Sequence, residues 1–384
     1  MTPGAVAVLL GTRPEAIKLA PVVRALSAAG APPLLLVTGQ HEELLRPVLS
    51  DLGLAADENL RVMARDQGLA ELSARLLATV DEAMARLRPS LIVVQGDTTS
   101  AAMGALAGFY RGVRVAHVEA GLRTGDARNP FPEEMNRRLV GQLADLHFAP
   151  TARARDQLLR EGVAGERVHL VGNTVVDALQ DARARLLPRL PPDPATDALG
   201  RERRLVLVTA HRRESFGDDL RAIVAGVRSI ARAFPGDVEV AYPVHLNPNV
   251  DGPVREMLAD EPGVRLLDPL PYLRFLDLLT RSTLVVTDSG GVQEEATALG
   301  KPFLVVRRTS ERLEAIDAGV GELVGTDAAA IAAAAARLLS DPVLYARRAA
   351  PSSVFGDGRA GERIAEVLLR EASAETAGRS RPRW

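Results

Sequence analysis

"AVAVLLGTRPEAIK", residues 5–18, is the stretch that decides the fold. An apolar run this short, closed by Gly11 and followed by helix-forming residues behind Pro14, reads as a buried strand feeding a helix. A dinucleotide site would place G-x-G-x-x-G at that turn. Here the turn carries Thr12, Arg13, Pro14, Glu15 and Lys18. Two cations and an acid stand where bare backbone and glycine usually meet a phosphate.

The alternation of short apolar run and amphipathic stretch continues downstream. Strands are expected at 5–10, 33–37, 91–94, 115–118, 146–148 and 168–171, with helical patterns such as 69–87 and 100–110 between them. The Pro-rich, charged segment "LLPRLPPDPATDALGRERR" (186–204) reads as a loop. A second series follows at 205–209, 238–241, 264–267, 284–287 and 302–306. Buried runs alternating with helices indicate parallel βαβ units. The expected fold class is α/β, two doubly wound parallel sheets in tandem. The Ala-rich "AAAIAAAAARLL" (328–339) is too short for a membrane span and reads as a packed helix.

The 384-residue chain has room for two such domains. A net charge of -2 provides no field that would draw it to nucleic acid or to an anionic membrane. Cysteine is absent, which excludes disulfides, thiolate catalysis and Cys-ligated metals and suits a reducing cytoplasm. Of 47 basic residues only Lys18 and Lys301 are lysine. Where arginine is the default cation, Lys18 stands out as a site calling for a compact ammonium; for Lys301 the functional and chance readings weigh equally.

In open α/β sheets ligands sit beyond the carboxyl ends of the strands. The polar clusters "GTRPEAIK" (11–18), "QGDTTS" (95–100), "HVEAGLRTGD" (117–126), "TAHRRES" (209–215) and "TDSGGVQEEA" (287–296) all fall there, and "PFPEEMNRR" (130–138) enters a helix. Ser289, Gly290 and Gly291 open a helix whose amides suit an anion, with Glu295 one turn on for a ribose. With His211, Arg212 and Arg213 on another strand end, a diphosphate is the favoured ligand. Asp97, Glu119 and Glu133, near Arg13, Lys18 and Arg123, form a general acid/base set with counter-charges. That set calls for no metal. His117 is either a ligand contact or a satisfied strand-end side chain. His147 and His169 read as structural. His41 caps a turn or lines a second pocket, and His245 is a site candidate. "GDGRAG" (356–361) follows no strand and lacks the chain for a βαβ unit, so no nicotinamide cofactor is indicated.

Together with "PVHLNP", "LGKP" and "RRTSERLEAI", these motifs resemble the non-hydrolysing UDP-N-acetylglucosamine 2-epimerases of bacteria, from about Val6 to Val367. The resemblance implies two Rossmann-like domains of the glycosyltransferase-B type with the active site in the cleft between them. Expected divisions are 1–168, with a helix at 360–373 packing back on it, then 169–359 and a polar tail at 374–384. It implies a homodimer that interconverts UDP-GlcNAc and UDP-ManNAc, without a cofactor, for cell-surface polysaccharide. By motif, Arg13, Lys18, Asp97, Glu119, Glu133 and His211 line the catalytic pocket. Ser289, Gly290, Gly291, Glu295 and Arg312 hold UDP, and Leu270 and Phe275 frame the uracil. Gln40, Glu43, Arg65, Arg212 and His245 match a second, activating UDP-GlcNAc site. Three positions depart from the family pattern: Leu270 where a polar residue is frequent, Glu43 where Gln is common, and Gly68 where Thr or Ser is usual. A hydrolysing relative, a 2-epimerase for a diacetamido-uronic acid nucleotide, and a UDP-sugar glycosyltransferase are the alternatives.

Overall fold

The computed structural model describes residues 5–39, 42–64, 67–310 and 312–376. In chain order its elements are β1 (Val6–Leu10), α1 (Arg13–Ala28), β2 (Leu34–Val37), α2 (Glu42–Asp51), β3 (Glu58–Asn59), α3 (Leu69–Leu87), β4 (Leu91–Gln95), α4 (Thr99–Arg111), β5 (Arg114–Val118), α5 (Glu133–Leu143), β6 (Leu146–Ala149), α6 (Ala152–Arg160), β7 (Val168–Leu170) and α7 (Thr174–Asp181). A second series follows: β8 (Arg204–Thr209), α8 (Asp218–Ala233), β9 (Val238–Pro243), α9 (Pro248–Leu258), β10 (Val264–Leu267), α10 (Tyr272–Arg281), β11 (Leu284–Thr287), α11 (Gly290–Leu299), β12 (Phe303–Val305), α12 (Leu313–Asp317), β13 (Gly321–Leu323), α13 (Ala328–Ser340), α14 (Pro342–Arg348) and α15 (Ala360–Thr376).

The first unit runs through Gln180 and resumes at Gly356. Its sheet has the order β3-β2-β1-β4-β5-β6-β7, all parallel. The strands are apolar on both faces because helices cover both. On one side Leu9, Ile92 and Val94 pack with Leu72, Leu76 and Val80 of α3 and Ala101 and Ala105 of α4. The chain winds outward from β1 to β3, then restarts at β4 on the other side of β1. The topological switch point therefore lies between β1 and β4.

The second unit, Asp181–Phe355, carries the sheet β10-β9-β8-β11-β12-β13, also parallel. Val206, Val208, Val240 and Val286 pack with Ile223, Val227 and Ile230 of α8 and with Ile331 and Leu338 of α13. Its switch point lies between β8 and β11. No single helix among the described residues is long and apolar enough to cross a membrane.

Two boundaries differ from the sequence reading. The division falls after Gln180, not at 168, because β7 pairs with β6 and so extends the first sheet. The first unit resumes at Gly356, ahead of the returning helix α15, which begins at Ala360 as expected. The rejected "GDGRAG" motif proves to be this return: an added Cβ at Gly361 would lie 2.8 Å from the Pro21 backbone, so α15 seats on α1 only through a glycine. The Gly361 amide donates to Asp177 at 2.7 Å. The short strands β3 and β13 were not anticipated. β3 is two polar residues and β13 begins with a glycine, so neither shows an apolar run. The segment read as a loop from Leu186 starts at the last residue of a π-helical turn (Ala182–Leu186) and continues into a 3-10 turn (Leu187–Arg189).

Candidate active site

Both switch points carry the motifs that the sequence singled out. In the first unit the opening turn is closed by its own acid. Glu15 Oε2 accepts from the Gly11 and Thr12 amides at 3.0 and 2.7 Å and from the Thr12 hydroxyl at 2.8 Å. Its other oxygen accepts from Thr98 Oγ1 at 2.7 Å, across the switch point. This is a capping box tied to the neighbouring strand end. Burial raises the Glu15 pKa, and the four donors oppose that shift. Glu15 therefore builds the turn, and the exposed Arg13 and the buried Lys18 are the cations it presents.

Lys18 Nζ lies 2.6 Å from Glu119 Oε2, an ion pair 10% and 4% exposed. The Gln95 amide donates to the same oxygen. Glu119 takes φ +64°, a left-handed conformation that non-glycine residues rarely adopt. Such strain collects where a side chain must be aimed rather than merely packed.

Asp97 follows β4. Its Oδ2 accepts from Arg137 Nε at 2.8 Å and Nη2 at 2.7 Å, and its backbone carbonyl accepts from Asn136 Nδ2 at 2.9 Å. Arg137 also reaches the fully buried Glu134 at 3.3 Å. Glu133 opens α5, and its Oε2 is buried and accepts no hydrogen bond among the described residues. Arg123, expected among the counter-charges, is instead bound to Glu161 through Nε at 2.9 Å and Nη2 at 2.7 Å. Arg137 is the guanidinium on the acid set. Both arginines stand in quoted motifs, and only the folded path of α5 tells them apart.

His117 is 1% exposed and its Nε2 donates to the Gly96 carbonyl at 2.8 Å, beside Asp97. Its Nδ1 is buried and has no hydrogen-bond partner among the described residues, so the strand end satisfies one ring nitrogen and not the other. Burial lowers its pKa to about 3, and burial lowers that of His147, its partner across β5 and β6, to about 4. The folded state binds these protons more weakly than the unfolded chain, whose histidines titrate near 6.5. The stability they preserve is therefore complete above about pH 6.5 and declines as pH falls toward 4. Each is expected to remove on the order of 3 kcal/mol over that window. Urea melts at pH 7 and pH 4.5 measure the loss. His117→Gln, which keeps the donor to Gly96 and cannot titrate, should shrink it; an unchanged pH slope would contradict this account. His169 sits on β7 with its ring 5.6 Å from that of Phe148.

In the second unit, Asp288 spans the switch point. It is fully buried, and its Oδ2 accepts from the amides of His211 at 2.6 Å and Arg212 at 2.7 Å. That fixes the turn after β8. The His211 ring stacks on His245, with centroids 5.2 Å apart. Ser289 is the N-cap of α11 yet makes no side-chain capping bond, so its hydroxyl is not spent on closing the helix. The first amides of α11 point where an anion would sit. The Arg312 guanidinium lies against this terminus, 3.2 Å from where a Cβ on Gly290 would stand, and Arg312 Nε donates to Glu294 at 2.8 Å. Any side chain at Gly290 would push that guanidinium away. Glu295 accepts from the Tyr272 hydroxyl at 3.0 Å. Leu270 and Phe275 are half-buried beside the start of α10. Asp288, Glu294 and Tyr272 were not picked out from sequence, although the two acids lie inside a quoted motif. Gln40, His41 and Arg65 lie outside the described residues, as does the side chain of Glu43. Lys301 precedes β12, at the opposite end of the sheet from these groups.

Comparison with known proteins decides the family. A family model described as UDP-N-acetylglucosamine 2-epimerase matches residues 24–369. The chain belongs to the UDP-N-acetylglucosamine 2-epimerase family. It is 46% identical over 365 residues to the UDP-N-acetylglucosamine 2-epimerase of Yersinia pestis, covering 94% of this chain and 97% of that one. The crystal structure of a UDP-GlcNAc 2-epimerase from Neisseria meningitidis, bound to UDP-GlcNAc, superposes with a TM-score of 0.90 at 37% identity, covering 95% of this chain and all of that one. A kitacinnamycin glycotransferase shares the fold alone, at 14% identity and a TM-score of 0.61 over 97% of this chain and all of the other. The 2-epimerase architecture is thus two Rossmann-like units of the glycosyltransferase-B type.

Proposed function

We propose that this 2-epimerase interconverts UDP-GlcNAc and UDP-ManNAc without net hydrolysis. The C2 proton of the sugar is not alpha to a carbonyl and resists direct removal. Departure of UDP from C1 changes that. The C1–O bond breaks with its electrons going to the diphosphate, a carboxylate takes the C2 proton, and a C1–C2 double bond forms. Delivery of a proton to the other face of C2, with UDP returning to C1, completes the inversion. Cations aimed at the leaving diphosphate lower the barrier because its charge grows in the transition state.

Arg13 and His211 are assigned to the diphosphate, with Ser289, Gly290, Gly291, Glu295 and Arg312 holding UDP and Leu270 and Phe275 flanking the uracil. Asp97 and Glu133 are the proton-transfer groups. Lys18 and Glu119 set the charge between them. The observation that carries the reading is the contrast between the two acids. Asp97 is clamped through one oxygen, whereas Glu133 keeps a buried oxygen that accepts no hydrogen bond among the described residues. The proposal includes a cytoplasmic homodimer that supplies ManNAc units for surface polysaccharide. It also includes activation by UDP-GlcNAc through Gln40, Glu43, Arg65, Arg212 and His245.

NMR of the purified protein with UDP-GlcNAc in D2O provides the test. Expected are UDP-ManNAc, deuterium at C2 of both nucleotide sugars, and a constant total of nucleotide sugar. Accumulating free ManNAc and UDP would instead assign the chain to the hydrolysing class.

A further inference from the structure

α5 carries one proton-transfer group and grips the other. Glu133 is its first residue. Asn136 and Arg137, three and four positions on, share the face of Glu133. They lie about 5 Å further along the axis. Asn136 Nδ2 donates to the Asp97 backbone carbonyl at 2.9 Å, and Arg137 donates twice to Asp97 Oδ2 at 2.8 and 2.7 Å. Backbone and side chain of Asp97 are both registered to the helix that bears Glu133.

The grip is itself anchored. Glu134 is fully buried, takes the Thr124 amide at 3.0 Å and holds Arg137 at 3.3 Å. The two donors of Arg137 fall on Oδ2, and among the described residues Asp97 Oδ1 has no protein donor. A single ammonium in place of the guanidinium would supply the charge without the double-donor geometry.

We propose that Asn136 and Arg137 are positioning residues that make α5 a ruler for the two proton-transfer groups. They hold Asp97 Oδ1 at a fixed offset from Glu133, so that each acid addresses its own face of C2. This rests on the elimination and re-addition reading above. It predicts a specific defect. Loosening the grip misplaces Asp97 and leaves Glu133 where it was, so delivery to one face slows more than delivery to the other.

The experiment starts from UDP-GlcNAc in D2O. At early times it reads the ratio of deuterium at C2 in recovered UDP-GlcNAc to that in UDP-ManNAc. Asp97→Glu and Glu133→Asp, each moving one carboxylate by a methylene, calibrate the two directions of change. Arg137→Lys is expected to shift the ratio at least fivefold in the sense of Asp97→Glu, with KM within threefold of wild type. Asn136→Ala should shift it in the same sense by a smaller factor. Urea midpoints confirm folding. If Arg137→Lys does not fold, Asn136→Ala carries the test, because among the described residues the Asn136 side chain bonds only to the Asp97 carbonyl. Equal slowing of both channels, or a shift in the sense of Glu133→Asp, would overturn the ruler while leaving the elimination reading intact. Wild-type turnover without deuterium at C2 would overturn both.

Discussion

Asp97→Asn lowers kcat by about a thousandfold, the range of a lost general acid/base group, and stops deuterium entry at C2. The amide is nearly isosteric with the carboxylate, so size is preserved and proton affinity is not. The side chain is 28% exposed, and its partner Arg137 keeps Glu134 as a second contact. The fold should therefore survive, with urea midpoint and KM for UDP-GlcNAc close to wild type. The loss belongs to the chemical step, because removing an interaction made only in the transition state lowers kcat and kcat/KM together. The measurement is the initial rate of C2 exchange followed by NMR. Exchange within tenfold of wild type in the folded variant would remove Asp97 from the proton-transfer role.

Lys18→Met damages stability as well as rate. It takes the ammonium away from a carboxylate only 4% exposed, while the strained backbone of Glu119 still holds that carboxylate inward. Breaking a buried pair from one side costs about 3–5 kcal/mol. Lys18→Arg is the sharper probe. The charge remains, but a planar guanidinium is wider than an ammonium and its donors fan out. The pocket holds Nζ at 2.6 Å from Glu119 Oε2, with the Gln95 amide on the same oxygen. Arginine there is expected to recover part of the stability and less than a tenth of the activity. Denaturant melts and NMR rates separate the two effects. Full activity in Lys18→Arg would mean that charge alone suffices, and the retention of lysine in so arginine-rich a chain would lose its physical reason.

How much of this was readable in advance differs by residue. The strand ends were readable because buried parallel strands are uninterrupted apolar runs and the residue that ends the run is polar. Asp97, Glu119, His211 and Ser289 were therefore placed on the correct edges from sequence. The opening acid was legible as a residue and not as a role. Glu15 looked like part of a ligand site, and the structure spends it on capping the turn that presents Arg13 and Lys18. Arg123 and Arg137 illustrate the limit. Each is an arginine in a polar motif near the acids, but Arg123 closes on Glu161 and Arg137 on Asp97.

The sequence by itself determined the two parallel sheets, the edges where polar residues gather and the family. These follow from the period and length of apolar runs and from ordered motifs, which are local properties of the chain. Only the tertiary structure decided which charges meet. Lys18 and Glu119 are 101 positions apart, and Asp97 and Arg137 are 40 apart. Contacts at such separations depend on strand order and on the path of α5, and no local pattern encodes them. A side chain's partner, not its type, separates a capping acid from a proton carrier, and partners are chosen when the sheet closes.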